Sequence, residues 1–318
     1  MNIKEEMLAV VETHGPWTAY NIKLADGVET APEFSGPLFR LRRSVQIISD
    51  LTNKPWKDLR ILDLACLEGI YAIEFALQGA QVVGIEGREA STARARFAAK
   101  ALGVFNVEFY TDDVRNLSVE KYGTFDVIFC SGILYHLGAA DGCAFVKSMA
   151  DACNNLLIVD THVGLDGKST VVVDGKTYCG TTAWEHSAKD SEKTKQARTW
   201  SSLDNNTAFW ITEPSLINLL RHVGFTSVVK ILAPQSSVQS SDRLTFAAVK
   251  GKPQKIILSP ELENFPDNDL PEKSTLKPHP YQSSGSPLGH FLMRVRRRLA
   301  RTAGRGAGAY VREAGHKK

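Results

Sequence analysis

Ile61-Leu-Asp-Leu-Ala-Cys-Leu-Glu-Gly-Ile-Tyr71 decides the fold. Arg60–Ala65 is a short, continuously apolar run, the pattern of a strand buried on both faces. It ends in a tight turn, and Ile70–Gln78 continues with helical character. A strand that turns sharply into a helix brings backbone N–H groups close to a ligand. A turn this poor in glycine says little alone, and the spacing beyond it says more. Gln81-Val-Val-Gly-Ile-Glu86 is a second strand, and Glu86 stands at its end, seventeen residues past Gly69. A carboxylate there is placed to accept both hydroxyls of a ribose. Asp112-Asp113-Val114 follows a third strand, Val107–Tyr110, where a carboxylate can take an adenine amino group with Val114 against the ring.

The alternation extends outward. Ala90–Leu102 and Gly142–Ala152 read as helices, and Phe125–Cys130 and Asn155–Asp160 as fourth and fifth strands. Continuous apolar strands separated by helices predict a doubly wound parallel sheet. Thr161–Ile211 breaks the rhythm. It is polar, and Val171–Tyr178 reads as a hairpin turning at Asp174-Gly175, so the segment is expected to cap the sheet as a lid. A helix over Glu213–Val223, capped by Thr212, brings the pattern back. Thr226–Leu232 and Leu244–Val249 then form an antiparallel edge hairpin. Residues 1–58 read as a leader ending in a helix over Gly36–Thr52, 59–250 as the main domain, and 251–318 as a proline-rich linker with a basic tail.

The net charge of +3 is uneven. Pro287–Lys318 holds nine Lys/Arg and one Glu, so +8, which leaves −5 on the rest. An acidic body is a poor surface for neutralising phosphates, so no nucleic-acid partner is expected. Hydrophobic residues at 43% suffice for a core, yet no run is long enough to cross a membrane. The N-terminus lacks the features of a signal peptide. Five cysteines without metal-type spacing read as reduced thiols, and the expected location is the cytoplasm. Phe291, Leu292, Val295 and Leu299 share one side of a short helix with arginines largely elsewhere, which predicts weak peripheral contact with the inner, anionic membrane face. A disordered basic tail fits the same residues.

The series resembles the class I S-adenosylmethionine-dependent methyltransferases. Asp63–Gly69 is similar to their first motif, Glu86 to the ribose acid, Asp113 to the adenine acid, and Phe125–Leu137 to the fourth-strand motif. The resemblance implies a Rossmann-like seven-stranded sheet and S-adenosyl-L-methionine as cofactor. It places Asp63, Ala65, Glu68, Gly69, Glu86, Asp112, Asp113, Val114, Cys130 and Ser131 at the cofactor. The usual motif has glycines where this chain has Ala65 and Leu67, so Leu67 is expected to point away. Asp63 braces the turn or touches the cofactor, and Asp112 competes with Asp113. A nicotinamide enzyme is the competing reading, but it normally wants G-x-G-x-x-G where this chain reads Ala65-Cys-Leu-Glu-Gly69. Spaced residues outside the core, among them Trp17, Thr30, Asp160-Thr-His162 and Phe209-Trp-Ile-Thr212, are distantly similar to the tRNA wobble-uridine (carboxy)methyltransferases.

The implied reaction is methyl transfer to an oxygen or nitrogen of a small molecule or sugar. The alternatives are a tRNA-modifying (carboxy)methyltransferase and a catalytically inactive cofactor-binding relative. An oxygen acceptor needs a base, and His162, nearest the end of the fifth strand, is the first candidate, with His136 second. Both also fit packed, hydrogen-bonded histidines. Tyr135, Tyr178, Glu185 and Trp200 are candidate acceptor contacts, although core packing is the ordinary role of a tryptophan. No metal is expected, Asp160 with His162 being the nearest approach to a ligand pair.

Overall fold

A computed structural model describes residues 2–35, 38–232, 241–253 and 269–272. Helix α1 (Ile3–His14) opens with a capping box: Asn2 accepts from the Glu5 N–H while Glu5 reaches back to the Asn2 N–H. A small hairpin, β1 (Lys23–Ala25) and β2 (Val28–Glu29), leads to α2 (Phe39–Leu51). Then come β3 (Arg60–Leu64), α3 (Ile70–Leu77), β4 (Gln81–Glu86), α4 (Glu89–Ala101) and β5 (Val107–Thr111). A short α5 (Val119–Tyr122) precedes β6 (Phe125–Ser131), α6 (Ala139–Ala152) and β7 (Cys153–His162). The long insertion holds β8 (Ser169–Val173), β9 (Lys176–Trp184), α7 (Glu192–Gln196) and β10 (Thr207–Ile211). The chain returns through α8 (Glu213–His222), β11 (Ser227–Lys230) and β12 (Arg243–Val249).

Seven strands form the main sheet in the order β11-β12-β7-β6-β3-β4-β5. The five from β7 to β5 run parallel, and β12 and β11 close one edge antiparallel. This is the expected doubly wound architecture with its edge hairpin. The centre is dry because β3 and β6 are buried along nearly their whole length. The chain order reverses between β3 and β6, and ligands bind at such switch points, beyond the carboxyl ends of the strands.

Two regions differ from expectation. The N-terminal leader is part of the folded body: Trp17 is 2% exposed and its ring lies 6.0 Å from Phe97 of α4. The insertion is a second, three-stranded antiparallel sheet, β10-β9-β8. Its predicted turn is there, with Asp174 and Gly175 both at positive φ. The Phe209 N–H bonds the Leu137 carbonyl at 2.8 Å, fastening the insertion beside the end of β6. The C-terminal tail, with its expected membrane helix, lies outside the described residues. Among the described residues no helix is long and apolar enough to cross a membrane.

Candidate active site

A cleft of about 290 Å³ opens at the carboxyl ends of β3, β4 and β6. Asp63, Ala65, Leu67, Glu86, Arg88 and Ser131 line one half. Both Ala65 (φ 54°) and Leu67 (φ 49°) are left-handed, so the turn keeps a shape that favours glycine without having one. Leu67, expected to face away, lines the cleft. Gly69 serves packing instead of ligand approach: a Cβ there would lie 2.8 Å from Ala95 and Phe109.

Two carboxylates give this half its character. Glu86 is 2% exposed and accepts the N–H groups of Leu67 (3.2 Å) and Arg88 (3.0 Å). Burial raises its pKa, with Arg88 and the two N–H groups opposing. Burial also drives the Asp63 carboxyl well up; the Ala72 N–H opposes this and Glu86 adds to it. Oδ2 of Asp63 is buried without a hydrogen-bond partner. An orphaned acid oxygen and a strand-end glutamate in one cleft suit a cationic ligand that carries ribose hydroxyls, and S-adenosylmethionine fits that description.

Other predicted cofactor residues lie elsewhere. Glu68 turns into the leader, accepting from the Thr18 N–H (2.7 Å), the Thr18 hydroxyl (2.8 Å) and the Ala19 N–H (3.1 Å), with Arg94 at 3.3 Å. Asp112 is held by Lys121, Tyr122 and Asn116; burial opposes them, yet they bring its pKa to about 2. Asp113 is clamped by Arg115, whose Nη2 also reaches Asp204 at 2.7 Å. Val114, next to Asp113, and Cys130, within β6, are buried and outside the lining.

The opposite half is cationic and phenolic. Arg40 and Arg243 both line it and share Asp160, at 3.4 and 2.7 Å. Burial would raise the Asp160 pKa, but the two guanidiniums and the Thr245 hydroxyl hold it low. Tyr20, Tyr71 and Tyr135 complete this wall, and Trp200 reaches the cleft from the insertion.

The two histidines take different places. His136 lines the cleft, and its Nδ1 lies 2.8 Å from Oε1 of Glu185, whose Oε2 accepts the Ser202 N–H at 2.9 Å. Glu185, expected to touch the acceptor, orients a histidine instead. His162 sits one ring further back, stacked on Trp210 (4.9 Å) and edge-on to Tyr135 (4.7 Å), with Nδ1 3.3 Å from Asp242. Tyr178 is 3% exposed, and its hydroxyl is 2.8 Å from Nδ1 of His222. Sequence reasoning missed Tyr20, Arg40, Arg88, Arg115 and Arg243. Arg88 alone had a local signal, lying two residues past the ribose acid.

Residues 61–155 match a family described as a methyltransferase domain. Residues 61–155 thus carry a methyltransferase domain, set in the fold of S-adenosylmethionine-dependent methyltransferases of class I. A ubiquinone biosynthesis O-methyltransferase of Acinetobacter baumannii (strain AYE) is 34% identical over 119 residues, 37% of this chain and 46% of that protein. The chain thus spans about half the length of the curated relatives it matches. A 23S rRNA (uracil(1939)-C(5))-methyltransferase of Shewanella halifaxensis is 42% identical over 69 residues, 21% of this chain and 16% of that one. Among solved structures, the N-terminal domain of EvdMO1, determined in the presence of SAH and D-fucose, superposes with a TM-score of 0.61 at 24% identity. That superposition covers 79% of this chain and 97% of the other, so the shared fold extends well beyond 61–155.

Proposed function

We propose that the protein transfers a methyl group from S-adenosylmethionine to a hydroxyl oxygen of a small, oxygen-rich acceptor such as a sugar, with His136 as general base. The His136–Glu185 pair at the cleft carries this reading. With Nδ1–H donating to Glu185, the lone pair of His136 is on Nε2, and the carboxylate stabilises the imidazolium that forms. When bound, the donor supplies an electrophilic methyl group for in-line displacement. The chain's own residues provide position: Glu86 and Asp63 fix one end of the cleft, and the insertion closes the other. The guanidiniums of Arg40 and Arg243 and the hydroxyls of Tyr20 and Tyr135 suit an acceptor with several oxygens better than an apolar one. D-fucose in the EvdMO1 structure and the O-methyltransferase named in A. baumannii support an oxygen acceptor.

The test is SAH formation from S-adenosylmethionine with D-fucose, related monosaccharides and a simple catechol as probes. His136→Ala is expected to cut turnover about 10²–10⁴-fold and leave SAH affinity nearly intact. A loss confined to His162→Ala would move the base one ring back. Losses under tenfold in both variants would leave no histidine base.

A further inference from the structure

Residues 196–204 of the insertion form a strap that is held from the donor side of the cleft. The Arg88 guanidinium donates to three of its carbonyls: Gln196 at 3.0 Å, Arg198 at 2.8 Å and Ser201 at 2.9 Å. Thr199, Trp200 and Ser201, which follow Arg198, line the cleft. The Arg88 side chain is 15% exposed, and its own N–H bonds Glu86. Gly87 completes the seat, since a Cβ there would lie 2.5 Å from Leu203. At the far end Arg115 joins Asp204 to Asp113. Each of the two carboxylates matched to ribose and adenine is therefore one arginine away from the strap.

We propose that Arg88 and Arg115 are positioning residues that fasten this strap to the donor site, so that donor occupancy sets the acceptor wall. The proposal rests on the methyltransferase reading for the identity of the donor. Charge-assisted bonds to three carbonyls of one short loop hold it in one geometry, at the cost of the loop's freedom. A ligand on Glu86 braces Arg88 beside it, and through Arg88 the strap. Acceptor contacts through Trp200 then form in register only after the donor is in place. Arg115 also lies 3.6 Å from Asp141 of α6, so three acids surround it and the strap acid is the one able to leave with the loop.

Hydrogen exchange on the full chain tests this without an acceptor. In wild-type protein, SAH is expected to slow exchange of the 196–204 amides. In Arg88→Ala those amides are expected to exchange about tenfold or more faster without ligand, and SAH is expected to protect them no further. Each protein is compared at SAH concentrations that saturate it, and β3 amides should be unchanged. Leu203→Ala loosens the seat from the strap side without touching the cleft and should also speed exchange, while Arg88→Lys should fall between. Unchanged strap exchange in both Arg88→Ala and Leu203→Ala overturns the latch. Equal SAH protection in wild type and Arg88→Ala overturns the coupling. If wild-type protein binds no SAH, the functional reading fails and with it the coupling, while the ligand-free comparison still decides the latch.

Discussion

The two halves of the cleft are built in opposite ways. The half we assign to the donor is a row of strand ends: Asp63 on β3, Glu86 on β4 and Ser131 on β6 come together because parallel strands in register end at one edge. The half we assign to the acceptor draws on pieces far apart in the chain, with Arg40 from α2, Arg243 from β12, His136 after β6, and Trp200 from the insertion. The first half is fixed by regular backbone, the second by side-chain pairing across long sequence gaps. Substitutions in the donor half should therefore act on affinity, and those in the acceptor half on turnover.

The largest effect that sharpens this division is at His136, where alanine should remove about 10²–10⁴ of turnover at nearly constant SAH affinity. Comparable loss of SAH affinity would erase the division. Next is Glu68, predicted at the cofactor but bound to the leader. Glu68→Ala strands a buried Arg94 and two backbone N–H groups, and should cost about 3–5 kcal/mol of stability in urea unfolding. Loss of SAH binding with stability intact would return Glu68 to the donor site.

Acidity gives a third comparison. Asp63 and Glu86 both have raised pKa values through burial, so the native state holds their protons more tightly than the unfolded chain. Ligand-free protein should thus gain stability from these two as pH falls through the window between their native values and the ordinary range near pH ~4. SAH affinity should fall over the same window as Glu86 loses its charge, beginning at a higher pH than an ordinary glutamate would. Titrations at several pH values check both, and an affinity independent of pH down to the ordinary carboxylate range would separate Glu86 from the donor. The smallest effect concerns residues 287–318: full-length protein should be recovered on anionic vesicles at low salt slightly more than 1–286, with equal turnover. Equal recovery removes the membrane contact.

The donor half was legible because its positions follow from strand period and a turn. Glu86 could be placed by counting, and the edge hairpin by its polar loop. Ala65 and Leu67 misled, since the left-handed turn persists without glycine and leaves Leu67 facing the cleft. The acceptor half was not legible in the same way. Nothing local marks Glu185 as the partner of a histidine 49 residues earlier; β9 must first pair with β10 and the insertion must dock on Leu137. His162 was favoured because it follows a strand end, yet β7 runs on to include it and pairs it with Arg243 of β12, setting its ring behind Tyr135. Nothing local marks Arg40 and Arg243 either, since only the fold brings them to Asp160.

In the proposed function the strand-end carboxylates hold the adenosyl donor. Calorimetric titration of the full chain with SAH, wild type beside Glu86→Ala, tests it most directly. One site is expected in the wild type and a loss of about 1.5–3 kcal/mol in the variant, the scale of a charge-assisted hydrogen-bond pair. An affinity equal within about twofold, against the roughly tenfold or greater loss implied by that energy, would contradict it.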